Sequence, residues 1–124
     1  AMSSESVIDL VLVGGGGTSA DVLTIIDDIN RVAIRYRVLG LLDDALDRDS
    51  SRFGVPVLGG LGEADRLPTD VRLVDCMGSP RSNARREALL HSRGLAGLPF
   101  ETLIHPRAVV ATSATVGEGC IVYP

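Results

Sequence analysis

Short apolar runs alternating with amphipathic stretches, an interior that must be almost wholly aliphatic, and a period-six repeat near the end predict an α/β chain. The expected architecture is a parallel-sheet domain followed by the first coil of a left-handed β-helix built from hexapeptide repeats. Of 124 residues, 45% are hydrophobic but only 3% aromatic, and there is no Trp, so Val, Leu, Ile and Ala have to fill the core. Such interiors suit strands buried on both faces, which read as continuous apolar runs.

The first strand is read at Val7-Ile8-Asp9-Leu10-Val11-Leu12-Val13, stopped at once by Gly14-Gly15-Gly16-Gly17. Val22, Ile25, Ile26 and Ile29 then recur at helical spacing, with Thr18 or Ser19 able to cap the start. A second strand spans Tyr36 to Leu42 and ends in Asp43-Asp44. Residues 45–53 read as a polar surface loop, and 54–60 as a short extended segment in which Pro56 favours an edge over a central strand. A brief helix over 61–67, a third strand over 71–76 and a helix from Ser79-Pro80 to about Arg93, stopped by Gly94, complete the alternation. Strand, helix, strand in this order means parallel strands with right-handed crossovers.

After Leu103 the period changes. Ile104, Val110, Val116 and Val122 open successive hexads, and Ala108, Ala114 and Cys120 occupy the fifth position of each. Three hexads make one coil of a prism-shaped β-helix, and such repeats need about three stacked units for stability. The expected division is therefore 1–6 as a tag-removal scar and disordered start, 7–103 as the sheet domain, and 104–124 as the start of a β-helix domain that is cut short. On this expectation the chain is a fragment of a longer protein.

Twelve basic against sixteen acidic residues give a net charge of -4, which excludes a generic nucleic-acid binder, and no aromatic platform exists for stacking bases. No apolar run approaches ~18 residues, so no membrane insertion is expected. Cys76 and Cys120 form neither a disulfide framework nor a ligand cluster, so a cytoplasmic protein without a metal site is expected. Both read as inert core thiols.

The chemistry concentrates at the glycines. Without side chains, backbone N–H groups approach a phosphate closely, and a helix N-terminus adds partial positive charge. Gly15-x-Gly17-x-x-Ala20 fits the G-x-G-x-x-G/A pattern of Rossmann-like domains, and Asp43 and Asp44 stand where an acidic residue meets ribose hydroxyls. Gly78-Ser79 follows the third strand and should line the same cleft, although Ser79 serves equally well as a helix cap. Lacking Lys before Ser or Thr, the loop is not of the ATP-hydrolysing kind. His91 reads as a helix-end residue, His105 as a packing or boundary residue, and Arg81, Arg85 and Arg86 as a solvated face on which Arg81 could reach an anion. On these residues an NAD-binding oxidoreductase or sensor domain and a non-catalytic ligand-binding module both stay open; the first gives no reason for the hexads.

Four segments together resemble the N-terminal part of the NeuD/PglD-like sugar O- and N-acyltransferases: Val11-Leu12-Val13-Gly14-Gly15-Gly16-Gly17, Gly40-Leu41-Leu42-Asp43-Asp44, Gly54-Val55-Pro56-Val57-Leu58-Gly59-Gly60, and Leu103-Ile104-His105-Pro106-Arg107-Ala108 with its hexads. The resemblance implies a Rossmann-like nucleotide-sugar-binding domain joined to a left-handed β-helix. It implies acetyl transfer from acetyl-CoA to an amino or hydroxyl group of a sugar, of the UDP-amino-sugar type, for bacterial surface glycans. Gly14, Gly15, Gly16, Gly17 and Thr18 would hold the diphosphate and sugar, Asp43 and Asp44 the ribose or base, with Gly78 and Ser79 lining the cleft. The family's catalytic His and its acetyl-CoA site, between subunits of a homotrimer, would fall beyond Pro124, leaving no catalytic residue and no bound cofactor in these residues. Thr18 stands where the family often carries His, Ala20-Asp21 replace a usual Lys and aliphatic pair, and Ser79-Pro80 replace Asp-Asn.

Overall fold

Leu10 and Leu12 point to one side of a strand and Val11 and Val13 to the other, and all four are fully buried. A strand with no wet face must lie inside a sheet covered on both sides. The computed structural model, which describes residues 7–77, 91, 94–95, 97–110, 119 and 121–124, puts it there. Strand β1 (Ile8–Val13) pairs in parallel with β2 (Tyr36–Leu42) on one side and with β5 (Arg72–Asp75) on the other. β4 (Val55–Gly59) lies parallel beyond β2, and the two-residue β3 (Ser51–Arg52) pairs antiparallel with β4 at the edge, giving the order β3-β4-β2-β1-β5.

Helix α1 (Gly17–Val32) lays Val22, Ile25, Ile26 and Ile29 on the Leu10 and Leu12 side, in one core with Leu41, Val57, Val74 and Leu103. The 3-10 helix Leu61–Arg66 closes the other side over Val11, Val13, Leu42 and Leu73. The turn from α1 into β2 is stapled by Asn30, whose Oδ1 accepts the Arg35 and Tyr36 amides while its Nδ2 donates to the Tyr36 carbonyl. At the far end of the sheet, the Tyr36 hydroxyl donates to Glu101, which also pairs with Arg72.

Several expectations need correction. Neither Thr18 nor Ser19 caps α1: the helix starts at Gly17 with Gly16 as cap, and the buried Ser19 hydroxyl donates back to the Gly16 carbonyl. Residues 45–53 are not all loop, because Ser51–Arg52 form β3. Pro56 therefore sits one strand in from the edge, and lacking an N–H it is tolerated in an exposed position opposite Ser51. The helix expected from Ser79 to Arg93 lies outside the described residues except at His91; Gly94 does take the left-handed φ of +74°.

Beyond the sheet, Phe100 bridges to Leu73, and β6 (Leu103–Ile104) pairs in parallel with β7 (Ile121–Val122). The register sets Ile104 against Val122, the opening residues of the first and fourth hexads. Most of the intervening hexads, 111–118 and Cys120, lies outside the described residues.

The tightest strand approach is at Gly40, where an added Cβ would lie 2.7 Å from the Pro56 carbonyl oxygen and 2.5 Å from Leu58 Cγ. Leu58 can turn away, but the β4 backbone cannot. Gly40→Ala should lower unfolding free energy by about 1–3 kcal/mol, the usual cost of overpacking, measured as an earlier urea midpoint.

Candidate functional site

In an open parallel sheet the ligand crevice opens beyond the carboxyl ends of the strands, where strand order reverses. Here the chain steps outward from β1 to β2 and β4, then returns to the other side of β1 as β5. Three segments leave the sheet at that end: Gly14–Gly17 after β1, Asp43-Asp44 after β2, and Cys76-Met77 after β5. The Gly14 amide donates to the Leu42 carbonyl (2.7 Å) and the Cys76 amide to the Val13 carbonyl (2.9 Å), which keeps the three exits together.

The four glycines divide into two pairs. Gly14 needs its lack of a side chain: φ is +103°, and a Cβ would lie 3.0 Å from Met77 Cγ. Gly15 does too, since a Cβ would meet Leu46 Cδ1 at 2.7 Å and Leu41 Cδ1 at 3.2 Å. Gly16 and Gly17 have no such steric reason. Neither has a positive φ, both are exposed, and a Cβ on either would meet no described atom within 4 Å. Gly16 is the cap of α1, a position that suits glycine better than Ala, but Gly17 lies in the helix, where glycine costs roughly 0.5–1 kcal/mol relative to Ala, and nothing inside the described chain accounts for Gly17.

Asp43 holds the loop from beneath. Its Oδ2 accepts the Gly15 amide and its Oδ1 the Ala45 amide, both at 2.8 Å, tying the end of β1 to the end of β2. Asp44 does different work: its Oδ1 accepts the Leu61 amide at 2.8 Å, at the start of the 3-10 helix. Half-buried Thr18 lies in the first turn of α1. The structure thus gathers Gly14 to Gly17, Thr18, Asp43 and Asp44 at one end of the sheet, while Gly78 and Ser79 lie outside the described residues, as do Arg81, Arg85 and Arg86.

One neighbour of the loop escaped sequence reasoning. Arg52 Nε donates to the Gly15 carbonyl at 3.0 Å, and its guanidinium lies 4.8 Å from the centre of the Phe53 ring. Phe53-Gly54 between two short extended runs is a weak signal for it, because a two-residue hairpin is ordinarily marked by Asn-Gly or Asp-Gly.

His105 is 6% exposed. Its Nδ1 accepts the Arg107 amide at 3.0 Å, so the ring proton belongs on Nε2, which lies 2.7 Å from Asp28 Oδ2. With both nitrogens engaged it holds β6 against α1, the boundary role expected of it. The hydrogen bond from His105 keeps the Asp28 carboxyl below its ordinary range, with the charges of Arg31 and Arg107 adding to the effect against a smaller burial penalty. Burial pushes the Cys76 thiol up to about 12, helped by the Asp75 charge, so it is unreactive at neutral pH. Among the described residues no group of three His, Cys, Asp or Glu could hold a metal ion, and no helix is long and apolar enough to cross a membrane.

This α/β sheet with its glycine loop is similar in fold to part of a solved acetyltransferase domain. The acetyltransferase domain of PglB from Neisseria gonorrhoeae FA1090, solved in complex with acetyl coenzyme A, superposes with a TM-score of 0.64 at 25% identity, over 93% of this chain and 52% of that one. A second structure of the same domain gives 0.61 at 27% identity, over 91% and 52%. The UDP-N-acetylbacillosamine N-acetyltransferase of Bacillus subtilis (strain 168) is 40% identical over 60 residues, 48% of this chain and 26% of that protein. The chain thus spans about a quarter of that relative and half of the solved domain. No family model matches. Together these likenesses support the NeuD/PglD-like sugar acetyltransferase family that the sequence resembles.

Two predictions follow from the contacts. Asp43→Ala leaves the Gly15 and Ala45 amides without their acceptor and should cost about 1–3 kcal/mol by denaturant titration. Asp28 has a folded pKa below its unfolded value of roughly 3.9, so its contribution is complete above that value and is lost as pH falls through the folded pKa. Asp28→Asn should therefore melt earlier than the parent at pH 7, with the difference shrinking below about pH 4.

Proposed function

We propose that the chain is the nucleotide-sugar-binding N-terminal part of an acetyl-CoA-dependent acetyltransferase that acts on an amino or hydroxyl group of a nucleotide-linked sugar. The observation that carries this reading is the open glycine start of α1: a Cβ on Gly16 or Gly17 would meet no described atom within 4 Å, and Gly17 has no need for glycine inside the described chain. Close approach of a phosphate to the first amides of α1 supplies the missing reason. Gly14 and Gly15 shape the turn, Gly16, Gly17 and Thr18 meet the diphosphate, and Asp43, Asp44, Gly78 and Ser79 border the ribose side. Asp43 acts there with oxygens that already take two backbone amides, so ribose binds to remaining lone pairs.

The pairing of Ile104 with Val122 supports the second half of the reading. One turn of three hexads returns the chain beside its own start in parallel, as the first coil of a left-handed β-helix would. Ile104 and Val110, which open two hexads, are 42% and 38% exposed, apolar surface suited to a further coil. The bound acetyl coenzyme A of the PglB domain supports acetyl-CoA as donor, and the name of the Bacillus subtilis relative favours a UDP-linked amino sugar as acceptor. A homotrimer, a cytoplasmic location and a place in glycan synthesis belong to the same proposal.

Acetyl transfer needs a base to take the acceptor's proton. His105, with both ring nitrogens bonded, is not set up for it. These 124 residues alone should bind a UDP-amino sugar and release no thiol from acetyl-CoA. Calorimetry with UDP-N-acetylglucosamine, UDP-4-amino-4,6-dideoxy-N-acetylglucosamine and NADH tests the reading: UDP-sugar binding supports it, whereas NADH binding without UDP-sugar binding overturns it. Gly17→Ala should leave the melting temperature unchanged or raised while weakening UDP-sugar binding about tenfold or more.

A further inference from the structure

Asp43 places a carboxylate directly under the glycine loop, 2.8 Å from the Gly15 amide. A helix N-terminus offers only about half a positive charge. An anion at the Gly16 and Gly17 amides would therefore face a carboxylate that outweighs the helix end, and it needs a cation to bind.

Among the described residues, Arg52 is the cation hydrogen-bonded to this loop. Its Nε is spent on the Gly15 carbonyl, which leaves the two Nη groups of the fork as donors for a second acceptor. Arg37, Arg48 and Arg72 pair with Asp9, Glu63 and Glu101. Arg52 has no carboxylate partner among the described residues. It is exposed, yet pinned on two sides, by the Gly15 carbonyl and by the Phe53 ring at 4.8 Å.

The hairpin that carries it is shaped for that position. Ser51 pairs with Pro56 and Arg52 with Val55, leaving Phe53 and Gly54 as a two-residue turn with φ of +53° and +77°. Positive φ at both central residues is the type I′ condition, which Asn-Gly meets easily and a bulky aromatic does not. Phe53 adopts the unfavourable conformation and remains 49% exposed, so burial of its ring is not the compensation. Its ring supports the guanidinium instead.

We propose that Arg52 is a phosphate-binding residue of this site, closing its Nη fork on the diphosphate of a nucleoside diphosphate whose other oxygens meet the Gly16 and Gly17 amides. The assignment rests on the nucleotide-sugar reading above and adds to it the side chain that recognises the charge. Arginine suits the task because its planar fork matches two phosphate oxygens while Nε stays on the loop.

The test is an NMR shift titration of the chain with UDP and with uridine at two salt concentrations, on the parent, Arg52→Gln and Arg52→Lys. Arg52→Gln should bind UDP about tenfold or more weakly, with uridine binding unchanged and a shallower salt dependence. Arg52→Lys restores the charge without the Nε bond to Gly15 and should retain more UDP affinity than Arg52→Gln. Unchanged UDP binding in Arg52→Gln overturns the assignment and leaves the nucleotide site standing. Equal losses for UDP and uridine, or equal losses in the two variants, mean that Arg52 only shapes the loop and overturn it as well. A parent chain that binds no UDP overturns the nucleotide-sugar reading and the assignment with it.

Discussion

The Asp43 carboxylate is the joint on which the glycine end of the sheet depends. One oxygen holds the Gly15 amide and the other the Ala45 amide, so the turn after β1 and the turn after β2 share one anchor. Parallel neighbours have no hairpin between them, and their exits are free to diverge unless a side chain joins them. Gly14 reinforces the joint through the Leu42 carbonyl, and Gly15 permits it by leaving room for Leu46 and Leu41. The loop is thus shaped before anything binds, with its ordering entropy already spent in folding.

That joint also alters the role of a residue type often read as a ribose ligand. An aspartate at the end of the second strand is expected to face the ligand. Here Asp43 faces the backbone first, and Asp44 turns to the 3-10 helix. Under the proposed reading the same carboxylate that stiffens the loop would repel an incoming phosphate, so rigidity and affinity would pull in opposite directions at Gly15. Arg52, held on the Gly15 carbonyl from a neighbouring hairpin, would resolve that conflict without loosening the loop.

Much of the fold was legible because burial leaves a period in the sequence. The run Leu10-Val11-Leu12-Val13 has no polar position because β1 has no wet face, and Val22, Ile25, Ile26 and Ile29 repeat as one helical stripe over it. What was not legible is what leaves no period. β3 is two exposed residues whose strand character comes from pairing with β4 alone. The helix start moved from Thr18 or Ser19 to Gly16 because the loop geometry set by Asp43 outweighs side-chain capping preference. Of the candidate site, the glycines and aspartates could be read from their order along the chain; Arg52 could not, because its contact spans 37 residues and depends on the hairpin turn at Phe53 and Gly54.

Helix α1 relates the glycine loop to the hexads. Its first amides face the loop, and Asp28, three turns further on, receives the buried His105 at the start of the repeat. At helical rise, eleven residues separate the two points by about 17 Å. A hydrogen-bonded helix of this length, packed along one side by Val22, Ile25, Ile26 and Ile29, does not stretch or bend readily. Leu103 lies in the same core as those four, so the repeat begins inside the sheet's own interior rather than after a linker. A substrate held at Gly16 and Gly17 would therefore be presented to the hexads at a distance fixed by one helix. Under the proposed reading that span sets how far the bound sugar lies from the start of the hexads.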